Sequence, residues 1–189
     1  LDGLADRVLD GSISEIGVSN IGPKRLAWMQ QRLAERGVPL RSVQVQYSLL
    51  SSGDAKVDAL RQLCRERGIE VLAYSPLAFG VLTMPPDGER RPRTVLQRQL
   101  LARLKPASRS LRAVVATIAG QRSVSIAQVA LNWCRAQGTT PIPGLRTPEQ
   151  ARDVAGALQW SLTSEELDQL TEARQQCTVH TPSNPFQSA

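Results

Sequence analysis

Apolar and polar positions along this chain follow two rhythms. Short β-branched runs of period two are each followed by a stretch whose apolar residues recur every three or four positions, the pattern of strands feeding helices. The first run, "SEIGVSN" (residues 14–20), leads into a helix opened by Pro23, striped by Leu26, Met29 and Leu33, and stopped by Gly37. The second, "SVQVQYSLL" (residues 42–50), alternates at Val43, Val45 and Tyr47. A helix from about Asp54 then carries Val57, Leu60, Leu63 and Cys64 and closes at Gly68. The third run, "IEVLAYS" (residues 69–75), ends on a tyrosine and precedes a Pro/Gly/Arg loop over residues 83–94. Helical patterns return at residues 95–105 and 111–120. In "SIAQVALNWCRAQG" (residues 125–138) they place Ile126, Val129, Ala130 and Trp133 on one buried side. The fourth run, "TTPIPG" (residues 139–144), is short and leads to a helix from Pro148. A last helix starts at Thr163, where Thr163 and Glu166 fit a capping box ahead of Leu167 and Leu170.

With a stub helix at residues 4–9, the pattern makes four strand–helix units and predicts a parallel α/β fold. Such units build eight-stranded barrels or doubly wound sheets. Four strands cannot close a barrel, and leave two unpaired edges and one uncovered face. The pattern therefore predicts either a small open sheet or half of a larger one.

Composition narrows the chemistry. At 189 residues the chain is one domain long, and no apolar stretch approaches the ~20 residues of a membrane helix. The net charge of +6 comes mostly from Arg, densest in "GERRPRTVLQRQLLARLK" (residues 88–105). That stretch lacks the interleaved aromatics of a single-strand nucleic-acid binder. Arg98 and Arg103 alternate with Leu100, Leu101 and Leu104 as on a helix with one solvated face. A basic surface that attracts an anionic small molecule is the better reading. Cys64, Cys134 and Cys177 lie far apart with no C-x-x-C spacing. They read as buried hydrophobes, in a reducing compartment, and not as metal ligands or disulfides.

Parallel α/β folds bind ligands at the carboxyl ends of their strands. Here those ends offer Ser19 and Asn20, Gln44 and Gln46, Tyr74 and Ser75, and Gly144. All are neutral hydrogen-bonding groups, a ring, or bare backbone. They suit a flat polar ligand and include no general base, activated nucleophile or metal cluster. Simpler roles stand beside this one. Ser19 and Asn20 can turn the chain into the next helix, and Gln44 and Gln46 share a strand face that meets either a barrel mouth or water. Thr147 and Gln150 fit a capping box, while Arg146 beside that helix start suits an anion. His180, the only histidine, sits in a polar tail.

Five stretches, taken in order, resemble the NADP-dependent aldo-keto reductases: "IGVSN" (residues 16–20), "VQVQYSLL" (43–50), "GIEVLAYSPLAFGVLT" (68–83), "AQVALNW" (127–133) and "PIPGLRTPEQARD" (141–153). The "QWSLTSEEL" stretch (159–167) and the "NPFQSA" ending (184–189) look most like plant and algal plastid-type members. The resemblance implies strands five to eight of a (β/α)8 TIM barrel with their helices. Residues 1–189 would form its C-terminal half, with residues 181–189 as a tail. It implies that Ser19, Asn20 and Gln44 hold a nicotinamide carboxamide and that Tyr74 stacks on the nicotinamide ring. Ser75, Pro76, Leu77, Gly80 and Leu82 would wrap the pyrophosphate. Gly144, Arg146, Gln150 and Asp153 would grip the adenosine and its 2′-phosphate, with Arg146 favouring NADP over NAD.

Two positions depart from the family pattern. Val154 stands where an adenine-contacting asparagine is usual, and Met84, Pro85 and Pro86 replace a common Gly-Lys-Tyr. The family's Asp, Tyr, Lys and His tetrad belongs to the first four strands, so no catalytic residue is assigned here. The implied activity of the intact protein is NADPH-dependent reduction of aldehydes or ketones; the alternative is an NADPH-binding regulatory module. A small carbonyl substrate, a cytoplasmic or plastid-stromal location, and self-association through open barrel edges complete the expectation.

Overall fold

A computed structural model of the chain describes residues 1–88 and 95–181. The arginines of residues 90–93, the end of the Pro/Gly/Arg loop and the "NPFQSA" ending lie outside the described residues. Four strands, β1 (Ile16–Ser19), β2 (Leu40–Gln46), β3 (Glu70–Tyr74) and β4 (Thr140–Ile142), form one parallel sheet in chain order. The stub helix α1 (Asp2–Leu9) precedes β1, and α2 (Pro23–Ala34) and α3 (Ala55–Arg67) connect the first three strands. Between β3 and β4 come a 3-10 turn (Ala78–Thr83), α4 (Val95–Ala107), α5 (Arg109–Arg122) and α6 (Ile126–Ala136). After β4 come α7 (Pro148–Gly156) and α8 (Ser164–Gln175).

Local chemistry sets the boundaries. Asp54 caps α3 by accepting from the Lys56 N–H at 2.9 Å, and Gly68 ends it in a left-handed conformation. The Thr163–Glu166 capping box at α8 is reciprocal. The expected box at α7 is one-sided: Thr147 Oγ1 accepts from the Gln150 N–H, but Gln150 Oε1 accepts from the N–H of Arg146 instead of Thr147. The second strand is shorter than its alternation predicts and stops at Gln46. Beyond it, Ser51 Oγ takes the Ser48 N–H at 2.7 Å and Ser48 Oγ takes that of Leu50. These hydroxyls compete with the ladder and turn the chain, while Leu49 and Leu50 stay buried.

Register assigns the two faces of the sheet. Val18 pairs with Val43, Val43 with Val71, and Val45 with Ala73, so these side chains share one face. That face packs on the helices: Val43, Val45 and Val71 join Leu26, Leu33, Leu60 and Cys64 in one core cluster. A second cluster gathers Tyr47, Ala73, Leu82, Leu104, Ile118, Val129, Trp133 and Leu170 around the helices that follow β3. Ile126, expected in that core, is only half-buried against it. The opposite face carries Ser19, Gln44 and Gln46, Leu72 and Tyr74, and Thr140 and Ile142. Ser19, Thr140 and Ile142 are exposed there, whereas Gln46 is buried. Both outer strands, β1 and β4, have one unpaired edge.

Candidate functional site

Because all four strands run the same way, their carboxyl ends line one rim of the sheet. Residues at the ends of the two strands that flank β2 meet directly at that rim: the Tyr74 hydroxyl donates to Asn20 Oδ1 at 2.9 Å. Asn20 is itself held by its N–H donating to the Gln44 carbonyl at 2.9 Å. Ser19 is exposed, and Asn20, Gln44 and Tyr74 are half-buried.

The backbone at this rim is unusual. Of the five non-glycine residues with positive φ among the described residues, four lie here: Asn20 (56°), Ser75 (52°), Ala78 (47°) and Phe79 (58°). Each such residue costs about 1–2 kcal/mol, and such conformations concentrate where ligands are clamped. Gly80 follows at 89°, a value only glycine adopts freely. The segment is nevertheless rooted in the protein. Pro76, Ala78 and Leu82 are buried, so the Leu82 side chain belongs to the core and only its backbone can face a ligand. Leu77 and Gly80 are half-buried, and Phe79 is exposed.

At the far end of the rim, nothing lies within 4 Å of where a Cβ on Gly144 would sit. Arg146 is exposed, and among the described residues its guanidinium has no partner. Gln150 is exposed beside it, with its amide oxygen on the Arg146 N–H at 2.9 Å. Glu149, in the same first turn, faces Arg152 at 3.5 Å. Asp153 differs from these. It is half-buried, Oδ2 accepts from Ser125 Oγ and Oδ1 from Gln128 Nε2, each at 2.9 Å.

The strand-end rim thus gathers a half-buried ring, a left-handed loop, open glycine backbone and, at a helix start, a guanidinium with no partner among the described residues. The remaining candidates are placed elsewhere. Tyr47 is buried, stacked on Trp133 at 5.5 Å and with the Arg61 guanidinium 4.4 Å from its ring centroid, and burial pushes its hydroxyl far above the usual tyrosine range. His180 lies against the Arg174 guanidinium, which also donates to Ser52 and to the Cys177 carbonyl. The three cysteines are free and buried; burial pushes the Cys64 thiol up to about 11 and that of Cys134 up to about 12. Among the described residues no His, Cys, Asp or Glu side chains cluster as metal ligands would, and no single helix is long and apolar enough to cross a membrane. Gln128, Asn132 and Arg135 form a polar stripe along α6 that leaves no signal in the apolar pattern.

A parallel four-stranded sheet with helices following its strands has the α/β architecture of TIM-barrel-type proteins. More narrowly, the profile of the aldo/keto reductase family matches residues 1–175, and the chain belongs to that family. It is similar to the chloroplastic pyridoxal reductase of Arabidopsis thaliana, 40% identical over 190 residues that cover 99% of this chain and 51% of the relative. It is also similar to aldo-keto reductase str7 of Strobilurus tenacellus, 30% identical over 87% of this chain and 49% of the relative. The NAD(P)H-dependent 6′-deoxychalcone synthase of Glycine max is 29% identical over 93% of this chain and 47% of the relative. A thermostable aldo-keto reductase crystallised with the inhibitor epalrestat superposes with a TM-score of 0.68 at 25% identity, over 92% of this chain and 53% of that structure. The aldose reductase of Schistosoma japonicum shares the fold, with a TM-score of 0.63 at 19% identity over 90% of this chain and 45% of that structure. The chain spans about half the length of the curated relatives it matches.

Proposed function

We propose that this chain supplies the NADPH-binding half of a carbonyl-reducing barrel. On this reading β1 to β4 are strands five to eight. Ser19, Asn20 and Gln44 meet a carboxamide, whose donors and acceptors their side chains can match. Tyr74 provides the flat wall beside the ring. Ser75, Pro76, Leu77, Gly80 and Leu82 follow the pyrophosphate, Leu82 through its backbone. Gly144, Arg146 and Gln150 take the adenosine 2′-phosphate. The observation that carries the reading is the Tyr74–Asn20 hydrogen bond at the rim, with Asn20 itself and Ser75, Ala78 and Phe79 in left-handed conformations.

Held there, a nicotinamide cofactor would supply the hydride for carbonyl reduction. Among the described residues, neither tyrosine nor the histidine is placed to give the carbonyl oxygen its proton, and on this reading a further group would supply it. Tyr47 is buried beneath Trp133, the Tyr74 hydroxyl is bound to Asn20, and His180 is held by Arg174. The pyridoxal reductase relative makes pyridoxal the first aldehyde to try. That Tyr47, Tyr74 and His180 are each held by another side chain among the described residues also supports a second reading, a non-catalytic NADPH-binding module.

Titration of the purified chain with NADPH and NADH, followed by cofactor fluorescence, tests the site. Arg146→Ala should weaken NADPH by about tenfold or more and leave NADH nearly unchanged, as expected for one charge-assisted phosphate contact. Equal binding of both cofactors by the wild type and the variant would refute the role of Arg146. Steady NADPH oxidation with pyridoxal by this chain alone would overturn the need for a further proton donor.

A further inference from the structure

Among the described residues, α7 is the one helix that buries no side chain. Helices in proteins are stabilised mainly by burying an apolar face, and a nine-residue helix is marginal without that. What holds α7 is instead a polar stripe on α6, formed by Ser125, Gln128, Asn132 and Arg135. Ser125 and Gln128 donate to the Asp153 carboxylate. Gln128 Oε1 accepts from Trp160 Nε1 at 3.1 Å. Asn132 and Arg135 donate to the Ala157 carbonyl, at the end of α7. Asp153 is thus the only α7 side chain, among the described residues, that bonds to another element.

We propose that Asp153 is a positioning residue for the anion-binding start of α7, acting through Ser125 and Gln128 without touching the adenosine phosphate. This rests on the reading of Arg146 and Gln150 given above. Both Asp153 oxygens are occupied on the α6 side, and its charge is the wrong sign for a phosphate partner. It lies six residues past the Thr147 cap, about 9 Å along the helix axis from the start. Its role is to hold the helix that carries Arg146 and Gln150. Released from α6, α7 would have to be ordered by the ligand, and affinity falls accordingly.

Gly156 offers a way to disturb this contact without touching Asp153. A Cβ there would lie 2.7 Å from Gln128 Nε2, whose amide is fixed between Asp153 and Trp160. Gly156→Ala raises the helix propensity of α7 while it displaces Gln128.

The test is calorimetric titration of the chain with 2′,5′-ADP and with 5′-AMP, which lacks the 2′-phosphate. Gln128→Leu, Gly156→Ala and Asp153→Ala should each weaken 2′,5′-ADP by about tenfold and 5′-AMP by clearly less, since the loss falls on the phosphate held at the start of α7. The Asp153→Ala/Gln128→Leu double variant should be no weaker than either single one. Asp153→Asn should stay within about twofold of wild type, because an amide can accept from Gln128 and donate to Ser125. Wild-type affinity in Gln128→Leu and Gly156→Ala, with loss only in the Asp153 variants, would mean that Asp153 contacts the ligand directly. If Gln128→Leu does not fold, Gly156→Ala decides between these outcomes. Absence of 2′,5′-ADP binding in the wild type would remove the site itself, and the inference with it.

Discussion

Arg112 is 1% exposed and has no carboxylate partner among the described residues. Its guanidinium instead donates to the carbonyls of Met84, Pro85 and Lys105 and to Ser108 Oγ. Burial pulls its pKa below the ordinary arginine value, yet these acceptors keep a charged group inside the protein. One side chain thereby ties the segment after the 3-10 turn to the joint between α4 and α5. Arg112→Ala leaves several carbonyls unpaired at once and should cost about 3 kcal/mol of stability by urea denaturation. Lysine at 112 should recover only part of this, because an ammonium cannot span the same acceptors. A loss below about 0.5 kcal/mol would show that water replaces the guanidinium freely. None of this was legible in the sequence, where Arg112 stands among apolar neighbours of an ordinary amphipathic helix. Three of its four acceptors are main-chain carbonyls, two of them from the distant segment at Met84 and Pro85, and a backbone group leaves no mark in a residue pattern.

Elements were far more legible. Period-two runs and their punctuating Pro and Gly residues located all four strands and the helices after them, because burial on one face imposes those periods locally. The reciprocal cap at Thr163 was also readable, being a four-residue signal. The α6 stripe was hidden, since Ser125, Gln128, Asn132 and Arg135 look like a solvated face until α7 is packed against it. Gln46 was open between water and a barrel mouth, and the folded chain buries it although Ser19 and Ile142 on the same face stay exposed. The α8 cap extends into a tertiary contact. Glu166 accepts from Arg122 Nε at 2.6 Å and from its NH2 at 2.7 Å, and also takes the Thr163 N–H. The Arg122 guanidinium lies 5.2 Å from the Trp160 ring. The hydrogen bond from Arg122 holds the Glu166 carboxyl below the usual glutamate range. A carboxyl with a depressed folded-state pKa adds stability above its unfolded value near 4.5, and that gain is lost as pH falls through the folded value. The wild type should therefore lose about 1 kcal/mol more than Glu166→Gln between about pH 6 and pH 3. Parallel stability profiles for the two proteins would sink this assignment.

At the scale of the whole molecule, the helices cover one sheet face and leave the other partly open, with an unpaired edge on β1 and on β4. Ile142, on the β4 edge, is 41% exposed and Leu72 and Tyr74 are half-buried on the same face. Open parallel edges beside apolar side chains favour pairing with further strands. Sedimentation velocity on the purified chain should show association that grows with concentration. Ile142→Lys, which places a charge on that face, should shift the population toward monomer. A wild-type chain that stays monomeric at about 100 μM would contradict this, since exposed edges of this kind should pair at such concentrations. The sheet's strand order has a further consequence, for how the molecule is made. Each strand pairs with its neighbour in sequence, so a ribosome can release β1, β2 and β3 to assemble one after another. The three residues of β4 must wait until α4, α5 and α6 have emerged before Thr140 can find Leu72. Synthesis thus passes through a stage in which three strands are formed and the β3 edge stands bare, the interval in which a nascent chain of this kind most needs a chaperone.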